Sequence, residues 1–458
     1  MRSTRSIRKR RICVGLLSTL AMWASATTAS ASAATSDGAN GAPAHGRLLD
    51  VIDVPQALDP NTAEAAAKGT EEHQAFSPDT SSAGGNGETC AAAAKHAQEG
   101  GQYGCLSTPA TGSGAGTTNN TTKNDETSPN IAACSTEVGV YTYDRFSSCL
   151  GNGQTTYTLY QIVDGVPEVI GTALLKVTAT MQLNQTSVAW QEALSVTMES
   201  ASSTIPSLNV SLTAACAAPC TASDPTPWTG APSMVTGTTL SGSVGYTDTP
   251  AAGLSDSFTT SYTMVVTQPG VTPTDPEVNW THPVTIRCDN AVGAYPGCVF
   301  PSARADLVLP ISQYDAAAVT YYWAQISLPD SWGDGTPLRR LASETAAESN
   351  RRATCEDGTF VPFDDDVVVD DSCDEFPFAG TVEGGTVGGL CADIVPLFED
   401  GQWYIYEASA SKPVTYQEPC VRGHVPLTYN SAAGGKYGSF VQTDRVLDSE
   451  SFSVTITD

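Results

Sequence analysis

The chain has 458 residues, with 22 Lys plus Arg against 49 Asp plus Glu and a formal net charge of −27. That excess of acid favours solubility and argues against sequence-independent nucleic-acid binding through a basic surface. No stretch approaches the roughly 20 consecutive apolar residues of a membrane helix, so no membrane partner is expected.

The first residues include Arg2, Arg5, Arg8, Lys9, Arg10 and Arg11, followed by the apolar run ICVGLLSTLAMWA (12–24) and by Ala31-Ser32-Ala33. A basic head, a short apolar middle and a small-residue cleavage site predict a secretory signal peptide over 1–33 and an extracellular mature protein. Of 13 cysteines, only Cys13 lies in that leader. The even remainder suits a disulfide framework in an oxidising compartment. Spacing suggests local loops at Cys90/Cys105, Cys134/Cys149, Cys216/Cys220 and Cys288/Cys298, leaving Cys355, Cys373, Cys391 and Cys420 to pair among themselves. Paired CxxC zinc knuckles are absent.

Residues 34–133 are rich in Ala, Gly, Ser, Thr and Asn, with tracts such as SSAGGNGE and TGSGAGTTNNTTKN, and read as a disordered low-complexity segment with a short helix around 90–98. From Cys134 the texture changes. YTLYQIV, TALLKVTATMQL, SVAWQEALSVTM, SLNVSLTAAC, TTLSGSVGYT, DSFTTSYTMVVT and HPVTIRC alternate apolar with polar residues between turn signals. That pattern predicts an antiparallel, sandwich-like β-rich domain over 134–285.

After Cys298, AAAVTYYWAQI (316–326) and PLRRLASETAAESNRRA (337–353) read as helices, the second dense in Arg339, Arg340, Arg351 and Arg352. The remainder mixes expected strands at 403–408, 439–447 and 451–457 with glycine-rich turns, the texture of a small α+β unit. Within it, CDEFPFAGTVEGG (373–385) sets Asp374, Glu375 and Glu383 around a Phe-Pro-Phe turn. Carboxylates on a rigid, aromatic-backed loop supply hard oxygen ligands or a general base; the same residues also suit a solvated acidic loop. The nearby run DDDVVVDD (364–371) lacks EF-hand spacing and reads as a solvated flank.

CDEFPFAGTVEGG closely resembles the DE-aromatic-P-x-A…EGG signature of the NucA/NucB deoxyribonuclease domain. ESNRRATC (348–355) resembles that family's N-R element, and NSAAGGKYGSFVQTDRVLD (430–448) its N-x-x-x-G-G…G-x-F…R-V-L-D tail. The stretch IRCDN…GCVFPSARADLVL (286–309) resembles the lead-in to the domain in larger secreted members, so the likeness covers 286–458. Several ordered elements in agreement are a stronger signal than one motif.

The resemblance implies an α+β unit similar to ββα-metal nucleases and a secreted, metal-dependent endonuclease that hydrolyses DNA phosphodiester bonds. It implies one divalent cation, Mg²⁺ or Mn²⁺, with Asp374 as general base, and Glu383 and Asn430 as metal ligands. Glu375 binds the metal or orients its neighbour, and Arg351 meets the scissile phosphate or these acids. Bland alternatives stay open: Glu375 as a solvated charge, Arg351 as an ion-pair partner, Asn430 as a turn residue. Arg339, Arg340, Arg351, Arg352 and Arg422 are candidate phosphate contacts. His424, in an RGH that resembles the DRGH of other ββα-metal nucleases without its leading Asp, reads as a strand or turn histidine. Family members commonly follow the Asn with Glu and, further on, Gln; here Ser431 and Ala433 stand instead. The rival expectation is therefore a non-enzymatic, β-rich binding or adhesion protein with a degenerate nuclease domain.

Overall fold

The alternation in 134–285 folds into long strands, Ser147–Val163, Val166–Asn184 and Ser187–Ala201, that pair in antiparallel succession. Their burial alternates residue by residue because a pleated strand sends successive side chains to opposite faces. The computed structural model describes residues 45–52, 72–76, 100–107 and 134–458. The proposed leader, the helix around 90–98 and Cys90 lie outside the described residues.

The long strands belong to a nine-stranded sheet, which shares one core with a four-stranded sheet containing Leu208–Cys216, Thr260–Thr267 and Glu277–Thr281. The expected β-rich domain is therefore present, but its edges move. The Ile286–Asp289 and Gly297–Val299 strands, closed by the Cys288–Cys298 disulfide, bury Ile286, Cys288, Cys298, Phe300 and Ala303 in this same core. The boundary expected at 285 thus lies nearer 304. The sequence change after Cys298 marks it better than the family resemblance does.

The reading of 34–133 as a disordered segment with one short helix around 90–98 needs correction at three places. Glu72–Ala75 pairs with Val140–Tyr143, and Gln102–Ser107 pairs with Ser147–Val163 on one side and Thr272–Asp275 on the other. Leu48–Ile52 instead joins the C-terminal sheet against Gln402–Glu407. These are short segments of low-complexity sequence held by backbone pairing with strands of the two sheets, and of them Leu48–Ile52 and Gln102–Ser107 also bury apolar side chains.

The C-terminal sheet has five strands in the order Leu48–Ile52, Gln402–Glu407, Ala392–Glu399, Val421–Pro426, Asp371–Phe376. Ala392–Glu399 and Val421–Pro426 run parallel; the other neighbours are antiparallel. Helix α1 (Ile311–Ser327) packs on one face, burying Ala317, Ala318, Tyr321 and Trp323 in a second core. Helix α2 (Glu344–Cys355) starts with Ser343 as N-cap and is tied to the edge strand by the Cys355–Cys373 disulfide. The expected helix over 337–353 is thus shorter, because Leu338–Arg339 is drawn into a strand against Ser451–Thr457.

Helix α3 (Leu427–Thr443) follows Val421–Pro426 directly. The strand expected over 439–447 is absent: Phe440 and Val441 are buried on a helix, where they reach the core beside α1 and Phe452. The strands expected near 403–408 and at 451–457 are present. Disulfides join Cys134–Cys149, Cys216–Cys220 and Cys288–Cys298 as expected, and the last four cysteines pair as Cys355–Cys373 and Cys391–Cys420.

Buried charge joins the two cores. Arg445, 1% exposed, donates Nε to Asp289 Oδ2 at 3.0 Å and Nη2 to the Asp289 backbone carbonyl at 2.8 Å. Glu450 receives Arg145 at 2.7 Å and Arg287 at 2.6 Å, while Arg145 also donates to the Asp444 carbonyl. The described residues accordingly fall within one compact unit.

Candidate active site

Among the described residues, Asp371–Phe376 is the outer strand of its sheet, with a partner on one side only. Register against Val421–Pro426 opposes Asp374 to Gly423 and Glu375 to Arg422. Adjacent residues of a strand face opposite sides, so Asp374 points toward α1 and Glu375 toward α2. Because the strand is an edge, both still line one cleft of about 970 Å³ that runs along its free side between α2 and α3.

Asp374 is 4% exposed, and Tyr321 Oη donates to its Oδ2 at 2.8 Å. Burial first, and the charge of Glu375 second, push its carboxyl well above the ordinary range, against the Tyr321 hydrogen bond. Burial also raises Glu375, opposed by Arg351 and by the Ala379 backbone N–H. Neither carboxylate forms an ion pair among the described residues. Asn430, on the first turn of α3, donates its Nδ2 to Ser372 Oγ at 3.1 Å and to the Cys373 carbonyl at 2.9 Å. Its amide oxygen is thereby the group left to accept or ligate. Asn430 is a helical residue here and not a turn residue.

Arg351 lines the cleft and pairs with Glu348 at 2.6 Å, about half exposed. The cleft thus gathers Asp374, Glu375, Asn430 and Arg351, and it does not gather Glu383. Arg339 holds both Glu383 oxygens, Nε to Oε1 at 2.7 Å and backbone N to Oε2 at 2.8 Å. The expected metal-ligand role of Glu383 is therefore corrected to an anchor for the loop.

Its neighbours in the motif are structural too. A Cβ on Gly384 would stand 2.3 Å from the Phe378 carbonyl oxygen, and one on Gly385, whose φ is +86°, 2.3 Å from Asn350 Oδ1. Asn350 in turn donates to the Ala379 and Thr381 carbonyls. The N-R and EGG elements lock together as packing.

Of the five candidate phosphate contacts, Arg340 and Arg351 line the cleft, and Arg340 spends one N–H on the Val446 carbonyl at 2.6 Å. Arg339 is committed to Glu383, and Arg352 to Glu348 at 3.0 Å. Arg422 is fully buried, bidentate on Asp393 and bonded to Thr359, so it is a core residue and no phosphate contact. His424 is buried against Phe360 and bonded to Asp371 at 2.6 Å, away from the cleft. Asp371 thus leaves the otherwise exposed acidic flank.

Sequence reasoning missed Tyr321, whose only signal was a tyrosine inside an apolar helical run, and Ser372, which bonds Asn430 and the Val425 carbonyl. The two departures from the family pattern separate in space: Ser431 lines the cleft, whereas Ala433 is buried in the core. Cys355, Cys373 and Glu375 place three possible ligand atoms close together, but both sulfurs are bonded to each other and hold no metal in that state.

Comparison with known proteins finds no matching family model, no matching curated protein and no matching solved structure.

Proposed function

We propose that this chain is a secreted, metal-dependent endonuclease that hydrolyses DNA phosphodiester bonds at the edge-strand cleft. The observation that carries the reading is the convergence of Asp374, Glu375, Asn430 and Arg351 on that cleft. Two antiparallel neighbours, Asp371–Phe376 and Val421–Pro426, the second running directly into the helix that bears the asparagine, add support as a ββα arrangement in space, with two further strands between them in the chain.

The donor set fits a hard divalent cation. Two largely buried carboxylates without an ion pair among the described residues and the Asn430 amide oxygen are oxygen donors, and Mg²⁺ commonly keeps several waters beside one or two carboxylates. Glu375 and Asn430 would hold Mg²⁺ or Mn²⁺. Such a cation supplies Lewis-acid stabilisation of the charge on the departing oxygen.

Asp374 acts as general base, taking a proton from the water that attacks phosphorus. Its raised carboxyl is a stronger base than an exposed aspartate once ionised. Tyr321, bonded to Oδ2, fixes the orientation of the carboxylate. Arg351 and Arg340 offset phosphate charge on the wall.

A second reading, a binding protein that keeps the fold without hydrolysis, is favoured by Ser431 at a cleft position where the resemblance calls for a carboxylate, and by the engagement of Glu383 with Arg339. Plasmid nicking by the mature protein with Mg²⁺ or Mn²⁺, against EDTA, separates the two. EDTA-sensitive nicking is expected; its absence removes the enzyme reading. A silent wild type that gains nicking in Ser431→Glu identifies the degenerate site.

A further inference from the structure

Helix α3 carries Gly434 and Gly438 one turn apart on the side that lines the cleft. A Cβ built on either meets no atom within 4 Å. Glycine weakens a helix interior relative to alanine, and here no neighbour requires the missing methyl. What the glycines leave is two patches of bare backbone beside Tyr437 and Val441, which also line the cleft, with Asn430 and Ser431 at one end and Gln442 at the other.

A helix rises 1.5 Å per residue, so Asn430 to Gln442 spans roughly 18 Å. That is about five phosphates of a stacked strand at 3.4 Å each. Arg340 and Arg351 stand in the cleft wall, with Glu344 as their acidic neighbour. Val292–Ala294 lines the cleft as well, on a loop closed by Cys288–Cys298 and tied to the end of α3 by Arg445 Nη1 donating to the Tyr295 carbonyl at 3.0 Å. Asp374, buried and hydrogen-bonded by Tyr321, also lines it.

We propose that this trough is the track of a single nucleic-acid strand, about five nucleotides long, lying against the face of α3 that Gly434 and Gly438 leave open beside Tyr437 and ending at the Val292–Ala294 loop. Its chemical class rests on the nuclease reading above. The hairpin closed by Cys288–Cys298 thereby contributes one end of the substrate site, with Val292 packed in the C-terminal core.

The test is binding of fluorescent single-stranded oligodeoxynucleotides of two, four, six and ten residues to the full mature chain in Ca²⁺, read by anisotropy, with turnover in Mg²⁺ or Mn²⁺ measured alongside. Wild type should bind the ten-mer at least tenfold more tightly than the two-mer, with the gain levelling near six. Gly438→Leu should lose tenfold or more on the ten-mer and flatten the length dependence, with a melting temperature no lower than wild type. Gly434→Leu repeats the test should Gly438→Leu melt early. Length-independent binding in wild type, or undiminished ten-mer affinity in a folded variant, overturns the track. Length-dependent binding that is lost in the variant, without any turnover, keeps the track and removes hydrolysis; nicking with length-independent binding does the reverse.

Discussion

Each core of this protein buries a tyrosine-bonded carboxylate, and the two differ in what surrounds them. Glu192, in the β-rich core, is 1% exposed and accepts Tyr262 Oη at 2.8 Å and Tyr246 Oη at 2.9 Å. Burial pushes its carboxyl up to about 7, against those two hydrogen bonds. Asp374 has one tyrosine and, beside it, a cleft open to solvent. A raised carboxyl sealed among side chains is a load on stability; the same carboxyl at the floor of a cleft is a base within reach of water. Perturbed titration alone does not tell a site from a core, and access does.

The sharpest break of this comparison is removal of each carboxylate. Asp374→Ala is expected to lower metal-dependent nicking by about 100-fold or more, the usual scale of a general base, with unfolding little changed. Nicking that survives the substitution would exclude Asp374 as the base. For Glu192 the sign runs with protonation: the folded carboxyl near 7 lies above the ordinary 4.5, so stability is fully present below pH 4.5 and declines as pH rises to about 7. The loss is on the order of 3 kcal/mol at 1.36 kcal/mol per pKa unit. Glu192→Gln should flatten this slope in denaturant melts between pH 4.5 and 8; an unchanged slope would show that Glu192 does not titrate there.

A smaller effect is expected from Tyr321→Phe. Its hydroxyl opposes the rise of the Asp374 carboxyl, so its loss moves the acid limb of the pH–rate profile to higher pH. At pH 7 the rate should fall about tenfold, the scale of one modest hydrogen bond to a charge. A uniform fall at every pH would point to packing alone. The smallest change is Gly435→Ala, whose Cβ also meets open space but which does not line the cleft. It should stabilise the chain by about 1 kcal/mol in urea melts, leaving nicking unaltered.

The β-rich core was legible because alternation of apolar and polar residues is a local consequence of the pleat, as in Val166–Asn184. The position of Asp374 was legible through its motif. Glu383 misled because the motif fixes spacing along the chain, whereas Arg339, which claims it, comes from a strand more than forty residues earlier. SFVQTDRVL read as a strand on β-branched and aromatic residues, yet Phe440 and Val441 serve the core from a helix, with tertiary burial overriding propensity. Tyr321 and Asp374 meet only after α1 folds across the sheet, and nothing local announces that contact.

The arginines between the two cores bear on how such a protein is inherited. Asp289 and Arg287 lie on the β-rich side and Arg445 and Glu450 on the other, all with little exposure. A new neighbour that buried either set without its counterpart would leave uncompensated charges, each at a cost of several kcal/mol. The cleft is therefore no portable cassette: recombination that moved α3 and the edge strand to a new partner would have to carry the Cys288–Cys298 hairpin with them.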